Sequence, residues 1–174
     1  MPDPALGRLA LNVESNRSLQ ADENTVVARA LELQRVASAD ALASLLRGRH
    51  VALAQPHGDP LNEQRFAMAA LGLGARLSRI HPEGVVRAAA GATDAIQMLD
   101  RLYDALDCGS LSPAIAAAVQ RRLSIPVFDG LARADHPVLR LLGRLGAGPA
   151  GAADRDEPSH VLLIQAVLAC ALGR

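Results

Sequence analysis

Five histidines, two cysteines and scattered pairs of arginine and carboxylate are the side chains of this 174-residue chain equipped for chemistry. His136 precedes Pro137 at the start of an apolar stretch, a place where an imidazole usually caps a helix. His57-Gly-Asp59 places a candidate general base beside an acid that can orient it, and equally reads as a turn with an aspartate cap. The histidines His50, His57, His81, His136 and His160 show neither HxxxH nor HxxEH spacing, so no metal site is expected. Cys108 and Cys170 stand outside any CxxC pattern and lie in or beside apolar runs, which reads as buried free thiols. Gly72-Leu-Gly74 follows a helix instead of joining a strand to one, so it is a C-cap and no dinucleotide fingerprint. Arg47, Arg49, Arg121 and Arg122 read as solvated faces, with Arg47-Gly-Arg49 a candidate for an anion. No cofactor is implied.

The elements that must position these groups alternate along the chain. Residues 1–20 show no sustained period and read as an arm. From about Ala21 a helical stripe runs through Val26, Val27, Ala30, Leu31, Leu33 and Val36, with Asp22 or Asn24 as its cap. A short helix is expected over Asp40–Leu46 and a buried strand over His50–Ala54. Then follow a helix over Asn62–Leu73, a strand over Ala75–Ile80 and a helix over Thr93–Tyr103. A short strand over Ala105–Cys108 leads to a helix over Pro113–Leu123 with proline in its first turn. A strand over Ile125–Phe128 and a helix over His136–Leu145 complete the series. Such alternation predicts an α/β fold: a three-layer αβα sandwich around a parallel, about four-stranded sheet, in one domain spanning 21–145. Residues 146–158, dense in Gly, Ala and charge, read as a flexible tether. Residues 159–174, with Ser159 as N-cap, form an apolar helix that must dock back on the domain or on another subunit.

Composition narrows the functional classes. All 18 basic residues are arginine, the 18 acids balance them, and only 2% of residues are aromatic. Nucleic-acid binding, which wants a basic face and stacking rings, is not expected. The apolar run Val161–Leu172 is too short to span a membrane, where roughly 20 residues are needed. The first residues lack the pattern of a signal peptide, and a cytoplasmic protein is expected.

Five segments in order carry a resemblance. They are Leu46-Arg-Gly-Arg-His-Val-Ala-Leu53, Arg65-Phe-Ala-Met-Ala-Ala-Leu-Gly-Leu-Gly-Ala75, Leu99-Asp-Arg-Leu-Tyr-Asp-Ala-Leu106, Ile125-Pro-Val-Phe-Asp-Gly130 and Asp135-His-Pro137. Over residues 25–145 the chain resembles the carbamoyl-phosphate domain of the aspartate and ornithine carbamoyltransferases. Glu157-Pro-Ser-His-Val-Leu-Leu-Ile-Gln-Ala-Val-Leu168 is similar to that family's final helix, which returns from a second, amino-acid-binding domain. Here only the tether stands in that domain's place.

The resemblance implies where a site would lie and shows it altered. The family's S-T-R-T-R phosphate cradle falls on Asp59, Pro60, Leu61, Asn62 and Glu63. A helix N-terminus suits a phosphate through its free N–H groups and dipole, but here both arginines are gone, Pro60 has no N–H, and two acids have entered. The family's strand-closing Arg falls at Gly109, and the Gln of HPxQ at Leu139. Of the family's ligands only His136 survives, placed there to polarise the carbamoyl oxygen. Two expectations follow. The first is a catalytically inactive, carbamoyltransferase-like protein with a structural or regulatory role, self-associating as the family does in trimers, with a full-length carbamoyltransferase as a second partner. The second is an enzyme or small-ligand-binding protein of amino-acid or pyrimidine metabolism, its site rebuilt where His136, His57 and Asn62 converge at the sheet's carboxyl edge. An ordinary nucleotide-binding α/β domain ranks behind both, since no phosphate loop is present.

Overall fold

The protein is described from a computed structural model, which defines residues 23–36, 38–54, 58–109, 111–145 and 157–173. The elements in order are α1 (Glu23–Arg35), α2 (Ala39–Leu42), β1 (His50–Ala54), α3 (Pro60–Gly72), β2 (Arg76–Ile80), α4 (Pro82–Ala89) and α5 (Thr93–Leu102). There follow β3 (Ala105–Asp107), α6 (Pro113–Gln120), β4 (Val127–Phe128), a 3-10 helix (Pro137–Leu145) and α7 (Glu157–Leu172). The expected αβα sandwich is what forms: one four-stranded sheet in the order β2-β1-β3-β4, every pair parallel.

Alternation along the strands divides the core into two layers. Val51, Leu53, Ala105 and Phe128 face α1, α3, the 3-10 helix and α7. Ala52, Ala54, Leu106 and Val127 face α4, α5 and α6. Successive strand side chains point to opposite faces, so the central strands β1 and β3 are buried along nearly their whole length, whereas the edge strand β2, with Arg76, Ser78 and Arg79, is only partly covered. At the opposite end from the strands' carboxyl termini, Asp104 accepts from Arg49 Nη1 at 2.9 Å and from the His50 amide at 2.8 Å, fixing β1 against β3. Arg49 is therefore committed to a carboxylate and does not stand ready for an anion.

Helix α7 packs on α1, α3 and the 3-10 helix. Its apolar residues surround the helix, nine of its sixteen positions being buried, as expected of a helix enclosed by neighbours. Arg65 of α3 pins its start, with Nε 2.8 Å and Nη2 2.7 Å from Glu157 Oε2.

Several sequence expectations are corrected. Helix α4 has no counterpart among the expected elements, because Gly84 interrupts it and only Val85 and Ala88 are buried, too few to show a period. The segment after His136 winds as a 3-10 helix, and α2 closes at Leu42 before a run of turns. Asn24 lies inside α1 and accepts from Arg144 Nη2 at 2.7 Å instead of capping. Ser159 lies inside α7, which begins at Glu157. Strand β4 starts at Val127, because Ile125 and Pro126 precede the pairing. The arm, Asp22, His57 and residues 146–156 of the tether lie outside the described residues.

If α7 is part of the domain's core, truncating its fully buried Leu168 to Ala should cost about 2–5 kcal/mol, the range for a large-to-small core substitution. Urea unfolding should show this in one transition, comparable to the loss from Leu53→Ala in β1. A loss below about 1 kcal/mol, or a separate early transition, would make α7 an appendage.

Candidate functional site

Strand β1 leads to β2 on one side and β3 leads to β4 on the other, so the direction of travel reverses between β1 and β3. Open parallel sheets hold ligands at the carboxyl edge of such a point. A cavity of about 40 Å³ lies there, lined by Leu53, Asn62, Phe66, Asp107, Gly109, Gly130, Ala132 and Arg133. It draws on the ends of β1 and β3, the first turns of α3 and the segment after β4.

Asp107 organises this edge. The side chain is only 1% exposed, and each carboxylate oxygen accepts from a main-chain N–H: Oδ1 from Gly109 at 2.6 Å, Oδ2 from Leu131 at 2.9 Å. The first is the bond of an aspartate turn two residues on, and the second ties the chain leaving β4 to the end of β3. Gly130 has φ +69°, and a Cβ placed there would fall 2.5 Å from the Gly109 carbonyl oxygen, so the two segments approach as only glycine permits. Burial pushes the Asp107 carboxyl up to about 6, against the two amide donors, with Asp129 adding to the rise and Arg133 opposing it. Sequence reasoning passed Asp107 over. The signal was present in Asp107-Cys108-Gly109, an acid closing an apolar strand two residues before glycine.

The other predicted positions distribute unevenly. Asp59 caps α3, its Oδ1 accepting from the Leu61 amide at 2.9 Å, and Pro60 occupies the first helical position without an N–H to offer. Glu63 pairs with Arg79. Asn62 and Gly109 line the cavity, and the Asn62 Oδ1 is buried with no hydrogen-bond partner among the described residues. His136 and Leu139 are not among the lining residues. His136 Nδ1 accepts from the Val138 amide at 3.2 Å, so the ring caps the 3-10 helix, and Leu139 packs against the core. Burial, helped by Arg133 and by neighbouring His160, pulls the His136 imidazole down to about 4. That leaves it neutral at ordinary pH, a hydrogen-bond acceptor held by the backbone. His160 of α7 is also buried and shifted down, first by desolvation and then by Arg65, while a hydrogen bond to the Leu131 backbone opposes. Leu131 thus joins Asp107 to α7 through its own main chain. Cys108 is buried and its thiol is held far above its usual range by desolvation.

A more open depression of about 350 Å³ lies between β2, α4 and α5, lined by His81, Glu83, Arg87, Met98 and Tyr103 among others. Its arginine is engaged by Asp94. Among the described residues, no three His, Cys, Asp or Glu side chains are grouped to hold a metal ion, and no helix is long and apolar enough to cross a membrane.

Solved structures place this architecture. No protein-family profile and no curated protein matches the chain. It is similar to the aspartate transcarbamoylase of Trypanosoma cruzi in complex with N-(phosphonacetyl)-L-aspartic acid, at 22% identity and a TM-score of 0.54, covering 78% of this chain and 45% of that one. The same enzyme in complex with phosphate aligns at 25% identity with a TM-score of 0.53, covering 78% of this chain and 43% of that one. A putative aspartate carbamoyltransferase from Leishmania major Friedlin aligns at 18% identity and 0.53, covering 82% and 50%. The chain thus spans about half the length of the structures it matches. What is shared is the fold of a single αβα domain, in agreement with the resemblance read from the sequence.

Asp107 and His136 give opposite pH dependences. The folded state holds the Asp107 proton more tightly than the unfolded chain does, so this group makes stability fall as pH rises from about 3.8 to 6. The unfolded chain holds the His136 proton more tightly, so this group makes stability rise between about 4 and 6.5. Each effect is on the order of 3 kcal/mol, and they offset. His160, also shifted down, adds to the rise, so the two contributions are read as differences from the urea-unfolding profile of the parent between pH 4 and 6.5. Relative to the parent, Asp107→Asn should show stability rising with pH and His136→Gln stability falling with pH; parallel profiles in all three would contradict the assignment.

Proposed function

We propose that this protein is a carbamoyltransferase-like domain that does not transfer carbamoyl groups, acting in the cytoplasm through assembly. The observation carrying this reading is the start of α3. The position matching the family's phosphate cradle has the Asp59 carboxylate on the Leu61 amide, a proline with no N–H, and Glu63 one turn in. A helix N-terminus already neutralised by an acid repels a phosphate dianion. The domain would comprise residues 21–145, with 146–158 as tether and 159–174 as a returning helix. His136, the one ligand position retained from the family, is buried in a capping role and apart from the cavity, which favours inactivity over a rebuilt enzyme.

Self-association has its own support. On α3, Leu61, Met68 and Leu71 lie on one helical face at 43%, 49% and 55% exposure, and on the other side of the sheet Met98 and Leu102 of α5 are similarly exposed. Two different apolar patches favour a head-to-tail contact, which closes into a ring. The trimer is the ring proposed, with a full-length carbamoyltransferase as the other partner.

Titration calorimetry with carbamoyl phosphate at millimolar concentration should give no binding heat, and no phosphate should be released with aspartate or ornithine present. A dissociation constant below about 1 mM, equivalent to about −4 kcal/mol, or measurable turnover, would overturn the inactive reading. Light scattering at tens of micromolar should report a trimer; a monomer would remove the proposed assembly, and Met68→Glu should weaken it where the α3 face is the contact.

A further inference from the structure

The open depression between β2, α4 and α5 combines opposite charges with apolar walls. Glu83 and Arg87 both line it. They stand one turn apart on α4, at the spacing where a glutamate and an arginine on a helix ordinarily pair with each other. Here they do not. Arg87 turns through Nη2 to Asp94, in a bridge exposed on both sides, and its guanidinium has further donors to offer. Glu83 has no hydrogen-bond or ion-pair partner among the described residues. Ile80, Met98 and Leu99 supply the apolar part of the lining, and Tyr103 adds a ring. That ring is packed against His50 at 4.8 Å between centroids, and His50 Nε2 in turn lies 2.7 Å from Ser78 Oγ, so it is held in place from β1 and β2.

Gly84 leaves the space open. A Cβ there would lie 3.6 Å from Met98 Cε, and no left-handed φ calls for glycine at this position. Glycine weakens a helix relative to alanine, so its presence on the lined face of α4 suits an occupant and not the helix. At about 350 Å³ the depression has the size of a small-molecule site, roughly 300–1,000 Å³.

We propose that this depression binds a small zwitterion carrying an apolar side chain, the chemistry of an apolar α-amino acid. Its ammonium engages Glu83, its carboxylate Arg87, and its side chain Ile80, Met98 and Leu99. A lone cation would leave Arg87 facing it and a lone anion would leave Glu83 facing it; a zwitterion meets both charges. Met98 also belongs to the α5 patch assigned to assembly, so the ligand and a second copy compete for it.

The test is a two-dimensional amide NMR titration with L-phenylalanine. It is run on the full-length Met68→Glu chain, which keeps a second copy off the depression. Saturable shifts are expected at the Glu83, Gly84, Leu99 and Tyr103 amides, with a midpoint on the order of 1 mM. Phenethylamine lacks the carboxylate, 3-phenylpropionate the ammonium and glycine the apolar side chain; each should bind at least about tenfold more weakly. Glu83→Gln should weaken L-phenylalanine about tenfold without weakening 3-phenylpropionate. Gly84→Leu, which fills the space with a better helix former, should fold and abolish the shifts. Absence of saturable shifts with L-phenylalanine would overturn the proposal. So would equal binding of any one of the three simpler compounds, or unchanged affinity in folded Glu83→Gln or Gly84→Leu. Failure here is distinct from failure of the assembly reading, which light scattering of the parent decides.

Discussion

A carboxylate buried at the end of the third strand holds the functional edge of this fold together. Asp107 is the group to which the segment leaving β3 and the segment leaving β4 are both anchored, through the Gly109 and Leu131 amides. Without it two main-chain donors would lose their partners inside the protein, and the close passage of Gly130 over the Gly109 carbonyl would lose its tie.

The returning helix belongs to that arrangement. Leu131 donates its amide to Asp107, and its backbone also bonds His160 of α7. Arg65 of α3, one turn beyond Asn62, fastens Glu157 at the start of α7. The layer made by α1, α3, the 3-10 helix and α7 is therefore continuous with the cavity wall. Compared with a phosphate-binding edge, the charges are inverted. Acids cap α3 and close β3, and the nearby arginines are engaged by carboxylates.

The fold was largely legible because the central strand β1 is a nearly pure apolar run followed by Pro56 and Gly58, even though the edge strand β2 carries Arg76, Ser78 and Arg79. His50–Ala54 has the same bounds in sequence and structure, and the helix expected over Asn62–Leu73 runs Pro60–Gly72, two residues earlier at its start and one at its end. Helix α4 was hidden because two buried residues cannot make a stripe, and the 3-10 winding after His136 leaves no trace in an amphipathic pattern that suits either helix. The site was half legible. Asp59 as a cap follows from its place before Pro60, and Asn62 was singled out by the resemblance, whereas burial of Asp107 depends on β4 and its following segment closing over it. Contacts that distant in sequence have no local signal. His136 drew notice by its type and its proline neighbour; its role follows from the amide of Val138, two residues on.

The most direct test of Asp107 as the buried keystone is titration of its side-chain carboxyl carbon by 13C NMR. The midpoint is expected near the elevated value of about 6, with the Gly109 and Leu131 amide protons shifting along the same curve. A midpoint at the ordinary aspartate value of about 3.9, with those two amides indifferent to it, would contradict the arrangement on which this edge of the sheet depends.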